Sequence, residues 1–200
     1  MVRYFCLDVE SAATGRGHND RAPCSASLVD FDGKTLFNTA IAIEGPVHSA
    51  MTPITGMTME DIKQGMPFAA AKEKLSVMND IEAMKLTKGV DYHSIDIAEE
   101  FKLRNPKYNN FDFFSLAKEV YAAYGVIMHA EGQKHDPDED AKYSMRLYRD
   151  YIHNKSTSPK IIGFKSQMQR RNWKHSWPSA VTRPMRTIDG VCSLGQVQPR

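Results

Sequence analysis

Tyr4-Phe5-Cys6-Leu7-Asp8-Val9-Glu10-Ser11 is an apolar run with two acids near its end. Side chains alternate across a strand, so Asp8 and Glu10 share a face and lie close together. Two carboxylates crowded on a half-buried strand repel each other and are costly to desolvate. A divalent cation between them removes that cost, while a solvated strand end tolerates them without one. On this stretch alone both readings stand.

Working outward, Cys24 to Asp30 reads as a second strand, Asp32-Gly33 as a hairpin turn, and Thr35 to Ile43 as a third strand. The three form an antiparallel meander that carries Asp8 and Glu10 on its first member. His18 falls in the polar, Gly-punctuated loop Thr14 to Asp20 and reads as solvated. Thr58 and Asp61 have the spacing of a capping box. Gly65 and Pro67 break that helix, and Phe68 to Leu75 restarts one. Asp80 to Met84 reads as a further helical turn or two. Tyr92 to Ile97 is a short β run, Ala98 to Leu103 helical, Asn105 to Asn110 a loop, and Phe114 to Tyr124 an amphipathic helix stopped by Gly125. His93 and His129 have no partners at ligand spacing and read as structural. Asp96 reads as the cap of the helix that follows it.

A second acidic stretch, His135-Asp136-Pro137-Asp138-Glu139-Asp140-Ala141, opens a late helix. Asp136 suits the N-cap, Pro137 the first helical position, and the acids favour the positive end of the helix dipole. Ala141, Met145, Tyr148 and Ile152 mark its apolar face. Capping accounts for Asp136, Asp138 and Glu139. It does not account for a histidine ahead of the helix with an aspartate five positions on.

Composition sets the outer bounds. The 200 residues are 42% hydrophobic and 25% charged, as in ordinary globular domains, with room for one sizeable core. No apolar run reaches the length of a bilayer span, and Met1-Val2-Arg3 leads into a strand rather than a signal peptide, so no membrane partner is expected. Cys6, Cys24 and Cys192 are too few and too scattered for a zinc site or a disulfide framework, which fits a reducing compartment, nucleus (nucleolus included) or cytosol. The net charge of +2 conceals an asymmetry. Residues 1–152 carry 17 basic against 23 acidic side chains, a balance of −6, and residues 153–200 carry 9 against 1, a balance of +8. Two parts are therefore expected: a body over 1–152 and a basic, flexible arm over 153–200. Arg170, Arg171 and Lys174 sit beside Trp173 and Trp177 there, pairing phosphate-neutralising cations with stacking surfaces for bases.

Taken together, Leu7-Asp8-Val9-Glu10, the Thr55-Gly56-Met57-Thr58 turn, and His135 to Tyr148 with its Met-x-Leu-Tyr ending resemble the motifs of DEDDh exonucleases. The RNase T-like branch that includes the interferon-stimulated RNA exonuclease is the most similar. The likeness spans about residues 3 to 152. It implies an α/β, RNase H-like mixed sheet, the antiparallel meander continued by parallel strands and flanked by helices. It implies 3′-to-5′ phosphodiester hydrolysis of RNA, or of single-stranded nucleic acid more widely. By position, Asp8, Glu10, Asp80 and Asp140 match carboxylates that hold two Mg²⁺ or Mn²⁺ ions, and His135 matches the general base. Ser11, Met57 and Thr58 would flank the terminal nucleotide, with Met57 an apolar contact for base or sugar.

The middle departs from the pattern. Asn79-Asp80-Ile81-Glu82 is the best match to the second motif, but only residues 68–79 separate Pro67 from Asp80. A helix of about 11 residues and a strand of about 5 do not both fit there. The strand that lies beside the first strand in the family, and positions this aspartate, is thus expected to be missing or altered. Either Asp80 reaches the site from a shortened helix, or it is a plain cap in an exonuclease-derived binding module, or the chain lacks a segment.

Overall fold

A computed structural model describes residues 3–79, 92–128, 135–153 and 193–197. The meander forms as expected, with β1 Arg3–Ala13 and β2 Arg21–Asp30 longer than the sequence suggests and β3 over Thr35–Ala42. Both pairings are antiparallel, and Gly33 takes the positive φ (82°) that the hairpin turn requires. A bulge falls between Glu10 and Ser11, where the strand turns away from its partner.

After β3 come the short helices α1 (Thr52–Thr55) and α2 (Met59–Lys63). Thr58 caps α2 reciprocally with Asp61, as the spacing predicts. Strand β4 (Met66–Pro67) runs parallel to β3, which makes the sheet mixed. Gly65 enters it so close to Ala42 and Ile41 that a Cβ would lie 2.6 Å from their backbone atoms. Helix α3 (Phe68–Asn79) follows, with Ala71 buried in a core of Ala26, Leu28, Phe37 and Ile41, against which Phe5, Leu7 and Val9 also pack. The other face of β1 is the more deeply buried one. Cys6, Asp8, Glu10 and Ala12 lie along it in strict alternation.

Strand β5 (Tyr92–Asp96) forms one edge of the six-stranded sheet, and β4 the other. Next come α4 (Ile97–Phe101), capped by Asp96 as expected, and a second sheet of two strands, β6 (Leu103–Asn105) and β7 (Asn110–Asp112). The sequence suggests a helix end and a loop there, because strands of three residues carry no periodicity. Helix α5 (Leu116–Tyr124) ends on Gly125 in the left-handed conformation. Helix α6 (Pro137–Leu147) continues into a π-helical turn over Tyr148–Ile152, and Ala141, Met145, Tyr148 and Ile152 are all buried.

The chain divides into two compact units. One contains residues 1–95, 134–145 and 190–200, and with them the large sheet; the other contains 96–133 and 146–189. The second unit is held by Tyr151, whose ring lies 6.2 Å from that of Phe101 and 6.1 Å from that of Tyr124, and by Arg146, 4.0 Å from the Tyr124 ring.

On the side of β1 away from β2, the neighbouring strand comes from the far end of the chain. Strand β8 (Ser193–Val197) pairs antiparallel with β1 from Arg3↔Val197 to Leu7↔Ser193, giving the order β4-β3-β2-β1-β8-β5. These five residues belong to the stretch read from sequence as a flexible arm, and they are a strand instead. The reason is backbone demand: without a neighbour, that edge of β1 would bury unpaired N–H and C=O groups. A chain ending at Gly190 is expected to lose on the order of 2–4 kcal/mol of stability, about one for each ladder hydrogen bond less the ordering entropy. Amide exchange over residues 3–7 reads this out. Unchanged protection in the truncated chain would show that β8 contributes nothing.

Candidate active site

The β1–β8 pairing stops at Leu7, one residue before the first acid. Asp8 is 5% exposed and Glu10 8% exposed, side by side on the buried face. Helix α6 brings the second set. Asp136 accepts from the Asp138 amide at 3.0 Å and starts the helix, which places His135 just ahead of its N-terminus and Asp140 one turn in, 5% exposed. His135 Nδ1 lies 3.2 Å from Asp140 Oδ2 and 3.4 Å from Glu10 Oε1. Ligand atoms of Glu10, His135 and Asp140 all fall within 4.8 Å of one another. Residues 125 positions apart in sequence thus meet in one small volume.

The electrostatics are those of a site built for positive charge. Burial, then the charges of Asp140 and Glu10, push the Asp8 carboxyl up to about 8, against a smaller opposing pull from His135. Burial draws the His135 imidazole down, but its bond to Glu10 and the charges of Asp140, Glu10 and Asp8 outweigh that and hold it above its ordinary value. Asp8 Oδ2 is buried, and no donor among the described residues reaches it. A buried carboxylate oxygen without a donor, amid two further acids and an imidazole, fits a hard divalent cation with oxygen ligands.

Three residues to which the sequence assigns no part in the site support this centre. Asp138, read as helix capping, accepts from Ser27 Oγ at 2.9 Å, Thr35 Oγ1 at 2.7 Å and Lys142 Nζ at 2.6 Å, fastening the first turn of α6 to β2 and β3. Burial opposes its ionisation, yet these three bonds together hold it below the usual carboxylate value. Ser25 sits opposite Glu10 in the β1–β2 register, 2% exposed, and its Oγ is buried with no hydrogen-bond partner among the described residues. Gly56, at φ 66°, lies directly against the His135 backbone. The glycine could be noticed from the turn motif. What it touches could not.

Of the remaining predicted residues, Met57 is 8% exposed, packed with Ala12, Cys24, Ala50 and Ile62, and it also lines a cleft of about 390 Å³ with Ser25, Asn38, Thr39, His135 and Asp136. The Thr58 hydroxyl donates to Asp61 at 2.8 Å and serves the cap of α2. Ser11 stands at the β1 bulge, half-buried. Asp80, Arg170, Arg171 and Trp173 lie outside the described residues. His18 is exposed, as expected. Cys6 and Cys24 are buried and form no disulfide among the described residues, and burial together with the Glu10 charge pushes the Cys24 thiol up to about 12, which makes it inert as a nucleophile.

No family model matches the chain. It is similar to RNA exonuclease 4 of Candida glabrata, 26% identical over 161 residues, covering 74% of this chain and 59% of that protein. RNA exonuclease 4 of Debaryomyces hansenii is 23% identical over 171 residues, covering 80% and 60%. The chain thus spans at most about three fifths of the curated relatives it matches. Among solved structures, the Saccharomyces cerevisiae Pan2 pseudoubiquitin hydrolase–RNA exonuclease module in complex with A7 RNA superposes with a TM-score of 0.60 at 15% identity, over 82% of this chain and 31% of that one. The Neurospora crassa Pan2 catalytic unit gives 0.59 at 16% identity, over 84% and 29%. The fold is RNase H-like. It is the expected mixed sheet, with β8 beside β1.

Proposed function

We propose that this chain is a divalent-metal-dependent exonuclease that hydrolyses RNA from its 3′ end. The observation that carries the reading is the convergence of Glu10 from β1 with His135 and Asp140 from the start of α6, within the electrostatic reach of Asp8, one of whose buried carboxylate oxygens meets no donor among the described residues. The relatives named RNA exonuclease 4 and the Pan2 modules solved with RNA support RNA as the substrate.

In this reading Asp8, Glu10 and Asp140 hold one or two Mg²⁺ or Mn²⁺ ions, with Asp80 the candidate fourth carboxylate. Such ions, when bound, lower the pKa of water and neutralise charge on the scissile phosphate and the leaving oxygen. The protein's own work is positional. Asp140 and Glu10 face Nδ1 of His135, which leaves Nε2 to take the proton of the attacking water. Ser25, Met57 and Asn38 line the cleft beside His135, where a terminal nucleoside fits. Asp138 keeps the imidazole at its post by tying α6 to the sheet. The scattered cysteines support a nuclear or cytosolic location, and the basic residues beyond 153 support a substrate-gathering role.

A second reading has one observation in its favour. Beside β1 lies an antiparallel strand from the C-terminal end, not the parallel strand that would carry a fourth acid into the site. A catalytically impaired nucleic-acid-binding module would look the same. The two are separated by incubating the protein with 5′-labelled single-stranded RNA and Mn²⁺. A ladder of products shortened one nucleotide at a time from the 3′ end, abolished by chelator, is the expected result. Binding without shortening would establish the second reading.

A further inference from the structure

The hairpin β6–β7 of the second unit is built largely from its own polar groups. The Asn105 side-chain amide donates to both carboxylate oxygens of Asp112, at 3.0 and 3.1 Å, and its Oδ1 accepts from the Lys107 amide at 3.1 Å. Asn109 at φ 51° completes the turn. Leu103 and Asp112 pair across the strands, and Leu103 is buried, which assigns one face of the hairpin to the protein.

The opposite face is exposed and unusual. Arg104 pairs with Phe111 across the strands, so the two share that face, and Phe113 follows one residue past the end of β7. Phe111 is 48% and Phe113 53% exposed, and Tyr108 in the turn is 64% exposed. Each ring has a cation beside it. Lys102 Nζ lies 4.5 Å from the Phe111 ring and 5.9 Å from that of Phe113, and Lys107 Nζ lies 5.0 Å from the Tyr108 ring. Lys102 is shared with Glu99, while Arg104 and Lys107 are exposed. Residues 102–113 carry three cations and one acid, and that acid is the one bound by Asn105.

Exposed rings gathered in one place mark a contact surface. The core of a protein–protein interface is depleted of charge, whereas here cations alternate with rings. That alternation complements a polymer with stackable faces and regularly spaced negative charges. It stands out on a body, residues 1–152, with a charge balance of −6. We propose that the β6–β7 hairpin is a binding platform for single-stranded nucleic acid, with Tyr108, Phe111 and Phe113 stacking on bases and Arg104 and Lys107 neutralising phosphates. This deepens the function proposed above and rests on its substrate class.

The test uses the full chain and a fluorescein-labelled, fully 2′-O-methylated 12-nucleotide oligouridylate, followed by anisotropy. The double variant Phe111→Leu/Phe113→Leu keeps an apolar surface but removes the rings, and is expected to bind about 10- to 100-fold more weakly, the value of a lost base stack or more. Phe111→Trp retains wild-type affinity, and Arg104→Gln/Lys107→Gln flattens the salt dependence. Matched thermal melts show that each variant is folded. Wild type that binds and shortens RNA while the leucine variant binds equally well overturns the platform alone. Wild type that binds no single strand overturns the platform and the proposed substrate together. A leucine variant that differs only in self-association assigns the face to a second copy of the chain and overturns the proposal.

Discussion

Replacing His135 by alanine is expected to lower the exonuclease rate by roughly 10²–10⁴-fold, the usual contribution of a positioned general base. Gly56→Ala is expected to lower it by about 10²-fold without touching a reacting atom. At φ 66° an alanine is strained, and its Cβ would overlap the His135 carbonyl oxygen and lie 2.8 Å from the carbonyl carbon. Gly56 cannot easily yield, since its amide donates to Thr52 at 2.9 Å and closes α1. The His135 backbone must therefore move, and a displacement of about 1 Å is enough for a loss of that size. Single-turnover rates with Mn²⁺ check both variants. Imidazole added to His135→Ala restores part of the rate if the side chain is the base, and does nothing for Gly56→Ala. Full activity in Gly56→Ala would show that the position of His135 does not matter.

The second large effect is on stability. Asp8 is held near 8 in the folded chain against an ordinary value of 3.8, so between those pH values the folded state keeps a proton that the unfolded state has released. Stability in chelator therefore falls as pH rises through that window, by on the order of 5 kcal/mol at most for the full shift. His135, raised above 6.5, acts in the same direction, since its stabilising protonated form is lost as pH rises past its folded value. So does Glu119, 2% exposed in the second unit, whose carboxyl burial and the nearby Asp96 push well up. A cation that binds only the folded state replaces the proton on Asp8 and offsets the loss. The melting temperature in chelator is expected to drop between pH 5 and pH 8, and excess Mn²⁺ to recover much of it at pH 8. Asp8→Asn, with no charge to bury, should flatten the chelator profile and remove the Mn²⁺ response. Identical profiles for wild type and Asp8→Asn would contradict the assigned electrostatics.

The meander, the Thr58 cap, the buried stripe on α6 and the Gly125 stop were legible because each is a local pattern: alternation, a three-residue spacing, a helical period, a glycine after a helix. The acids of β1 and the His135–Asp140 spacing were legible for the same reason, since each set lies within six residues. What stayed hidden depends on distant partners. Nothing in Ser-Leu-Gly-Gln-Val announces a strand, and β8 exists because β1 needs a neighbour. Asp138 reads as one more acid at a helix start until Ser27 and Thr35 are seen to meet it. Ser25 and Gly56 matter only through what lies across from them.

The central claim is that acids from β1 and from α6 bind the same cation. Mn²⁺ binding followed by electron paramagnetic resonance tests this most directly, on wild type, Asp8→Asn and Asp140→Asn, each checked for a wild-type fold. Both substitutions are expected to weaken Mn²⁺ binding by at least an order of magnitude, and each to perturb the bound-ion spectrum. Wild-type affinity and spectrum in Asp140→Asn, with loss only in Asp8→Asn, would separate the two carboxylate sets and contradict the account.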